Sequence, residues 1–430
     1  MDKQVLKQVL SENQHEVESY QIYERDFDEG SFPCYVFVGI RRAGKSYLLY
    51  QRMQKLLREG HGWDEMLYLN FEDERLEGFG IEDFNLILEC HNEMYGRRPK
   101  MLFLDEIQNI SGWDKFARRL ADQKYGVWLT GSNAKMLSRE VRTTLGGRYI
   151  SVNVFPYSFV EYAKVHGINV KTDDVLTTEE KAALGKAFDD YFNYGGMPEA
   201  ALMTTKRDYL SSTYQKIYLN DIVARNRIYN ATGIRLMIKK LAESVRQPIS
   251  YNRLSRILSS IGGKITVPTI INYVDYCEDS WLLLRLKNFA ASFSDRESVC
   301  KYYFIDNGIM GLFLFDANPA LLENLVALSL FKRFGQDKDD DAVFFYNDKV
   351  EVDFYVPSEQ WAIQVSYTIQ DYETREREVG ALSKLPNVLD CRRRFIITRD
   401  EETTLQDEYG EIEVLPCWKW LMKLSETTMK

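Results

Sequence analysis

The sequence of 430 residues has no pattern typical of a zinc site, of a histidine-based metal site or of a disulfide framework. Its six cysteines occur singly, without CxxC or CxxH spacing, and its four histidines are spread over the chain before residue 167. Single cysteines among apolar neighbours indicate buried thiols in a reducing cytoplasm. A zinc site and a histidine-based metal site are therefore not expected.

Long apolar runs and a net positive charge are also missing. No run approaches the roughly 18 consecutive apolar residues of a membrane-spanning helix, so no such helix is expected. The N-terminal segment is polar and helical in period, unlike a secretory signal, which favours a cytoplasmic location. A net charge of −9 disfavours non-specific binding of nucleic acid by the whole molecule. The apolar content of 45% and the aromatic content of 13% indicate a folded chain.

Residues 30–155 alternate short apolar runs with stretches of helical period. The runs predicted as strands cover residues 34–39, 66–71, 100–105, 126–131 and 149–155. Strands that are apolar on both faces and joined by helices are typical of a parallel sheet covered on both sides. The sequence therefore predicts an α/β domain with a parallel sheet in this part of the chain.

The remainder of the chain turns helical and then returns to an α/β pattern. A Gly-Gly turn within residues 191–200 is the predicted end of the first domain. Helical patterns follow from residue 205, and three short helices precede two strand-like runs at 281–289 and 299–306. That order matches a winged-helix domain. From about residue 316, helices alternate with strands, which indicates a separate α/β domain.

A phosphate-binding motif follows the first predicted strand. The motif GxxxxGK[ST] is matched by Gly39, Ile40, Arg41, Arg42, Ala43, Gly44, Lys45 and Ser46. Glycines let the backbone turn so that successive N–H groups face a phosphate, and the following helix points its positive dipole end at the same place. Lys45 is predicted to reach the β- and γ-phosphates and Ser46 to ligate Mg²⁺, with Tyr47 completing the nucleotide-binding stretch.

Two consecutive acids at the end of another apolar strand supply what a triphosphate site needs. Asp105 is predicted to hold Mg²⁺, and Glu106 to orient the attacking water. The pair also separates a hydrolase from a small-molecule kinase, since a kinase does not need a carboxylate that polarises water. The sequence therefore predicts a site that binds and hydrolyses a nucleoside triphosphate.

Polar residues that could report hydrolysis follow the next strand. Thr130, Ser132 and Asn133 would lie beside the γ-phosphate if strand 126–131 lies between the strand before Gly39 and the strand that ends at Asp105. Of the three, Asn133 is the predicted sensor. The prediction depends on a strand order that the sequence alone does not fix.

Arginines downstream are candidates for an arginine finger, in the same chain or across a subunit interface. The candidates are Arg139, Arg142 and Arg148. Arg148 is preferred because Gly146-Gly147 could place it on a loop. The alternative for each is a solvated arginine on a helix surface.

Several stretches along the chain resemble one known family. They include "GIRRAGKSYLL", "FLDEIQ", "LTGSNAKMLSRE", "FPYSFVEY", "YGGMPEA", "YYFIDNGI" and "EVDFYV". Together they resemble a bacterial and archaeal family of predicted AAA-type ATPases with a C-terminal domain of unknown function. The resemblance implies a P-loop ATPase domain of the AAA/ASCE type with a small lid over residues 1–200. It further implies a winged-helix domain over 201–310 and an α/β domain similar to PD-(D/E)xK restriction endonucleases over 311–430.

The nuclease-like part departs from an active nuclease at two positions. The resemblance places the metal-binding acids at Glu323 and Asp353, and puts Gln364-Val365-Ser366 where that fold has Glu-x-Lys. Glutamine is a weaker metal ligand than glutamate, and Ser366 has no charge with which to activate water. This domain is therefore expected to be a catalytically inactive binding module.

The winged-helix segment is locally basic within an acidic protein. Residues 231–290 contain nine Lys and Arg against four Asp and Glu. A basic island on this fold is expected of a DNA reader. However, the predicted recognition helix ends in Asp275, Glu278 and Asp279, a poor face for phosphates. DNA and a protein partner therefore both stay open at this point.

The function predicted is that of a Mg²⁺-dependent ATPase whose nucleotide state controls C-terminal domains that bind DNA or protein. The cofactors are ATP and Mg²⁺, no membrane is involved, and an oligomer is one way to complete the site. The alternative is a slow nucleotide-gated signalling or scaffold switch that acts on a protein partner without DNA.

Overall fold

The computed structural model describes residues 1–27, 33–134, 139–169, 176–335 and 341–426. The chain divides into two units, Met1–Val154 and Phe155–Lys430. In the part of the chain so described, no helix is both long enough and apolar enough to cross a membrane.

The first unit is built on a parallel sheet of five strands. Its elements are α1 (Lys3–Ser19), β1 (Cys34–Val38), α2 (Lys45–Arg58), β2 (Met66–Asn70), α3 (Phe84–Tyr95), β3 (Met101–Asp105), α4 (Trp113–Asp122), β4 (Gly126–Gly131), α5 (Arg139–Leu145) and β5 (Ile150–Asn153). The strand order is β2-β3-β4-β1-β5, and every neighbouring pair is parallel. The α/β prediction for this part of the chain and all five predicted strands are confirmed.

Burial explains why these strands read as continuous apolar runs. Every residue of β1 is buried, and the apolar residues of β2, β3 and β4 are almost all buried as well. A strand in the middle of a parallel sheet has helices against both faces, so neither face favours polar side chains. β4 lies between β1 and β3, which is the strand order that the sensor prediction required.

The second unit contains a mixed sheet and most of the helices. Its elements are α6 (Phe159–Val165), α7 (Thr178–Tyr194), α8 (Pro198–Ala201), α9 (Lys206–Lys216), a π-helical segment (Ile217–Ala224), α10 (Ala231–Glu243), β6 (Ile249–Ser250), α11 (Tyr251–Gly262), α12 (Val267–Asp279), β7 (Leu283–Asn288), α13 (Phe293–Ser298), β8 (Val299–Phe304), α14 (Asn307–Met310), α15 (Asn318–Phe334), β9 (Phe344–Asn347), β10 (Glu351–Val356), β11 (Trp361–Val365), α16 (Tyr372–Lys384), β12 (Arg393–Thr398), β13 (Thr403–Asp407), β14 (Gly410–Pro416) and α17 (Cys417–Glu426). The sheet runs β13-β14-β12-β11-β10-β9-β7-β8-β6.

Strand β7 joins two parts of this sheet that the sequence suggested were separate. It pairs with β8 in an antiparallel hairpin, and it also pairs with β9 in parallel through Lys287 and Asn288. The hairpin that follows α10, α11 and α12 is therefore continuous with the C-terminal strands. The predicted domain boundaries near residues 200 and 310 stay predictions.

Candidate nucleotide-binding site

The glycine-rich loop leaves β1 at the carboxyl edge of the parallel sheet. A Cβ on Gly39 would lie 2.1 Å from the carbonyl oxygen of Val154, so no other residue fits between β1 and the end of β5. Gly44 has a φ of 92°, in the left-handed region that favours glycine, and α2 starts at the next residue. The two glycines therefore fix where the loop turns and where the helix begins.

Lys45 is folded back into the loop that precedes it. Its Nζ donates to the carbonyl oxygens of Gly39 and Ile40, at 3.2 Å each. The same atom lies 3.4 Å from Oε1 of Glu106. The Lys45 side chain is buried, and its ammonium is directed at the end of β3, where the predicted acids lie.

Asp105 ends β3 in a buried network of hydroxyl groups. Oγ1 of Thr130 donates to its Oδ1, the Tyr68 hydroxyl donates to its Oδ2 at 3.1 Å, and Ser46 lies close enough to lower its pKa. Burial and the neighbouring charge of Glu106 raise the pKa of Asp105 above its usual range. The structure thus places Ser46 and Asp105, the two predicted Mg²⁺ ligands, near each other.

Glu106 has a different electrostatic environment from its neighbour in the chain. Burial opposes its ionisation, but the charge of Lys45, a hydrogen bond from Gln108 and the charge of Arg41 hold its pKa below the usual range. Its backbone N–H donates to Thr130 Oγ1 at 2.9 Å, and its φ is 50°. The paired acids therefore differ in protonation tendency, and Glu106 keeps its negative charge to lower pH than Asp105 does.

Gln108 was not singled out by the sequence analysis. Its Nε2 donates to Glu106 Oε2 at 2.5 Å and to Ser132 Oγ at 3.5 Å. Ser132 is buried just after β4, and Asn133 next to it is half-buried. Gln108 follows Glu106 by two residues in "DEIQ", and this spacing was the only available signal.

Three arginines belong to the loop or contact it. Arg41 forms an ion pair with Glu72 at 3.0 Å, and Arg42 has a φ of 65°. Arg25, from the segment between α1 and β1, donates from Nη1 to the carbonyl oxygen of Ala43 at 2.9 Å. Sequence reasoning did not identify Arg25, because nothing in the motif refers to the preceding segment.

Arg148 lies away from the predicted phosphate site. Its Nε forms an ion pair with Asp122, the last residue of α4, at 2.5 Å. Arg148 precedes β5, and Asp122 precedes β4, so both belong to the amino edge of the parallel sheet, whereas Gly39 follows the carboxyl end of β1. Arg148 is therefore not placed to act on a nucleotide of its own chain, and the role across a subunit interface stays a prediction. The side chains of Arg139 and Arg142 lie outside the described residues.

The metal that this fold implies is Mg²⁺, and the residues present fit it. Mg²⁺ in such sites is held by one or two protein oxygens together with water and phosphate oxygens. Ser46 and Asp105 offer these oxygens near each other. Within the described ranges, no cluster of three or more His, Cys, Asp and Glu side chains forms a self-contained metal site.

A second buried acidic cluster lies in the second unit around Glu323 and Asp353. Lys301, on β8, places its Nζ 3.3 Å from Glu323 Oε1 and 3.1 Å from Asp353 Oδ1. The Tyr303 hydroxyl donates to Glu323 Oε1 at 2.8 Å, and Arg246 lies 3.4 Å from Glu323 Oε2. Although burial opposes it, the charges of Glu323 and Asp353 raise the pKa of Lys301. Sequence reasoning missed Lys301, which lies in no motif.

The side chains at the two substituted positions of the nuclease-like segment form hydrogen bonds with the backbone. Gln364 accepts a hydrogen bond from the backbone N–H of Asp353 at 2.8 Å and donates to the carbonyl oxygen of Glu351 at 3.2 Å. Ser366 donates to the carbonyl oxygen of Thr368 at 2.8 Å. Gln364 therefore links β11 to β10, and Ser366 stabilises the segment that follows β11.

Two stretches of the chain match the models of known protein families. Residues 31–163 match the model of an AAA domain, and residues 185–319 match a domain of unknown function, DUF8612. The first unit is thus an AAA-type P-loop ATPase domain, as the sequence analysis predicted.

Two relatives extend over nearly the whole chain. An uncharacterized protein of Methanocaldococcus jannaschii, MJ1544, is 33% identical over 434 residues, which cover 98% of this chain and 96% of that protein. An uncharacterized protein of Haemophilus influenzae is 30% identical over 399 residues, covering 90% and 94%. The chain belongs to the family that includes these two proteins.

Solved structures give only distant similarities. The Walker-type ATPase of Pyrococcus abyssi aligns over 69% of this chain and 99% of its own, at 12% identity and a TM-score of 0.39. The Orc1 protein of Aeropyrum pernix, solved in complex with DNA, aligns over 74% and 93%, at 15% identity and a TM-score of 0.31. Similarity at this level says nothing about function.

Proposed function

We propose that the protein is a Mg²⁺-dependent ATPase whose nucleotide state controls the second unit. The observation that carries the proposal is the convergence of Lys45, Ser46 and the Asp105-Glu106 pair at the carboxyl edge of the parallel sheet. The loop offers N–H groups to phosphates, and the acids offer oxygen to Mg²⁺ and to water. This combination is what phosphoryl transfer to water requires.

The residues of this chain would act in a simple order. Triphosphate entering the loop attracts Lys45 away from Glu106, since phosphate oxygens carry more negative charge than one carboxylate. Glu106, kept ionised by its surroundings, is then available to orient a water molecule and accept its proton. Mg²⁺, when bound, would neutralise charge developing on the phosphates. Ser132 and Asn133, next to β4, would register the loss of the γ-phosphate.

Turnover measured with purified protein tests this proposal. We expect Mg²⁺-dependent hydrolysis of ATP that falls by about 10²–10⁴-fold in Glu106→Gln, the range for loss of a general base. Binding of ATP to that variant should stay, because glutamine keeps the shape of the site. Hydrolysis at the wild-type rate by Glu106→Gln would remove Glu106 from this role. No hydrolysis by the wild type, with or without duplex DNA, would refute the ATPase.

DNA is the partner of the second unit that the charge distribution favours. Of the acids in 231–290, Glu278 is buried and receives hydrogen bonds from Arg285 at 2.8 and 2.7 Å. Asp275 lies 3.5 Å from the same guanidinium, and Asp279 is buried. The acids that argued against phosphate binding are therefore largely neutralised or turned inward.

The basic residues of this segment are distributed differently. Five of them are exposed and have no acidic partner among the described contacts: Arg235, Lys239, Arg253, Arg256 and Lys264. The short strand β6 pairs with β8 beside β7, an arrangement that supports a winged helix. An exposed basic surface on such a fold suits the DNA backbone.

Binding of a short duplex over a range of salt concentrations tests the DNA contact. Arg253→Gln and Arg256→Gln should each weaken binding and reduce the slope of log K against log [salt] by about 0.9. Lys186→Gln, which changes an exposed lysine of α7, is the matched control and should leave the slope unchanged. An equal slope in all four proteins would refute DNA binding by this surface.

A slow switch that acts on a protein partner is the second candidate. Lys45 and Gln108 both hold the Glu106 carboxylate, and a base held in this way favours slow turnover. In that case hydrolysis would be slow and indifferent to duplex DNA, and the variants of Arg253 and Arg256 would behave as the wild type.

The nuclease-like part is proposed as an inactive binding module. The four carboxylate oxygens of Glu323 and Asp353 each have a protein partner: Lys301 and Tyr303, Arg246, Lys301 again, and the backbone N–H of Val365. A divalent cation would have to displace a buried ammonium to reach them. This supports a structural role for the two acids.

A further inference from the structure

A cluster of tyrosines beside the phosphate-binding loop is not used by the chemistry described above. Tyr47 is the third residue of α2, directly after Ser46, and it is 41% exposed. Tyr20, at the end of α1, is 37% exposed and has its ring centroid 5.7 Å from that of Tyr47. Both tyrosines are therefore partly exposed to solvent next to the loop.

Tyr50 supports these two rings from below. It is buried, and Tyr20 stacks on it nearly parallel, at 5.1 Å and 8° between the ring planes. Tyr47 lies 5.3 Å from it at 57°. The rings are therefore pre-organised, which reduces the entropy lost when a ligand stacks on them.

The segment that carries Tyr20 is clamped to α2. Gln54 Nε2 donates to the carbonyl oxygen of Tyr20 at 2.9 Å and to that of Val17 at 2.8 Å. Gln51 exchanges two hydrogen bonds of 3.0 Å with the backbone of Arg25, whose guanidinium reaches the loop itself. The position of Tyr20 relative to the loop is therefore fixed by side chains of α2.

We infer that Tyr20 and Tyr47, supported by Tyr50, form the surface on which the purine base of the bound nucleotide stacks. Lys45 reaches the β- and γ-phosphates, so the α-phosphate, ribose and base continue past the first turn of α2, where Tyr47 lies. Every base has a π face, and aromatic side chains are its common stacking partners. The two exposed rings are too close together for a base to enter between them, so it stacks on their outer face.

The same cluster is linked to the metal carboxylate. The Tyr50 hydroxyl lies 3.0 Å from that of Tyr68, which donates to Asp105. A base stacked on Tyr20 and Tyr47 would therefore be connected to Asp105 through Tyr50 and Tyr68. The inference rests on the proposed nucleotide site.

The test compares a ligand with a base and one without. Binding of Mg²⁺-ATP and of Mg²⁺-tripolyphosphate is measured by calorimetric titration for the wild type, Tyr20→Ala, Tyr47→Ala and the two corresponding Phe variants. We expect each Ala variant to bind ATP about tenfold more weakly and tripolyphosphate as the wild type does. The Phe variants keep the ring and should bind both ligands normally. Tyr409→Ala, at an exposed tyrosine of the second unit, is the control for loss of a surface tyrosine.

Two results would overturn the inference. One is unchanged ATP binding in both Ala variants. The other is a parallel loss of ATP and tripolyphosphate binding, which would mean that the rings only support the loop. Failure of the proposed nucleotide site gives different results. The wild type would then bind neither ligand, or Lys45→Met would bind both ligands as well as the wild type does. Either result would also remove the basis of the inference.

Discussion

Two buried lysines in this chain have similar neighbours, but one is expected to bind a ligand and the other to stabilise the fold. In the first unit, Lys45 lies beside Glu106 and Asp105, with the hydroxyl of Tyr68 on the aspartate. In the second, Lys301 lies between Glu323 and Asp353, with the hydroxyl of Tyr303 on the glutamate. Each group is one ammonium, two carboxylates and one phenol.

What differs is how the ammonium is held and where it lies. Lys45 is the first residue of α2, directly after the loop at the carboxyl edge of a parallel sheet, where ligands of open α/β sheets bind. It shares its hydrogen bonds between two loop carbonyls and one carboxylate. Lys301 is on a strand inside a sheet, is completely buried, and is paired with both carboxylates. Similar residue types therefore make an exchangeable site in one unit and a closed ion cluster in the other.

Removing Lys301 should have the largest effect on stability. Lys301→Met leaves Asp353 without its cation and Glu323 with only Arg246, and breaking such a buried ion cluster costs about 3–5 kcal/mol. Unfolding in urea, followed by circular dichroism, should show a lower midpoint for the second unit. The triple variant Lys301→Met, Glu323→Gln, Asp353→Asn removes the buried charges together and should recover much of the loss. A midpoint equal to that of the wild type in Lys301→Met alone would show that the cluster is not a structural ion pair.

Removing Lys45 should affect ligand binding more than stability. Without nucleotide, Lys45→Met is expected to cost about 1 kcal/mol, since Glu106 keeps its hydrogen bond from Gln108 and the nearby charge of Arg41. In the wild type, ATP at about 100 times its Kd should add about 2.7 kcal/mol to the free energy of unfolding. That increment should vanish in Lys45→Met. Thermal unfolding with and without Mg²⁺-ATP measures both quantities, and an increment kept by the variant contradicts the assignment.

The contrast also shows which residues of a site can be predicted from local sequence patterns. The phosphate loop and the Asp105-Glu106 pair were predictable because each is a contiguous motif attached to one strand, and local spacing determines what such a motif presents. Lys301 was not, because it precedes Glu323 by 22 residues and Asp353 by 52. The three residues lie on β8, α15 and β10 and meet only when these elements pack together. A single lysine in an apolar strand has no local signature of that pairing.

Two other differences have identifiable physical reasons. Arg148 was considered for the phosphate site, yet a residue that precedes a strand of a parallel sheet lies at the edge opposite to the phosphate loop; the predicted topology already contained this constraint. Strand β13 was not predicted, because "TTLQD" lacks the apolar residues of a buried strand. It is an edge strand that pairs only with β14 among the described strands, and such strands need little apolar surface.

The two phenols give the smallest and sharpest test of the comparison. Tyr68→Phe removes a donor from Asp105, and Tyr303→Phe removes one from Glu323, with the ring kept in both. Each loss of a hydrogen bond to a charged group should cost about 1.5–3 kcal/mol of stability at most. Only Tyr68→Phe should also change the ligand response, because groups that hold a metal ligand in place alter metal affinity by about 10–100-fold when removed.

The measurement is the concentration of Mg²⁺ that half-saturates ATP binding in the wild type and in each Phe variant. We expect a clear shift for Tyr68→Phe and none for Tyr303→Phe. A shift in neither variant would mean that Asp105 does not hold Mg²⁺ in the way its hydrogen bond from Tyr68 and its position near Ser46 suggest. An equal shift in both would mean that the cluster around Lys301 responds to nucleotide or to Mg²⁺. The distinction between an exchangeable site and a closed one would then fail, because carboxylates that are fully paired within the protein are not expected to respond to either ligand.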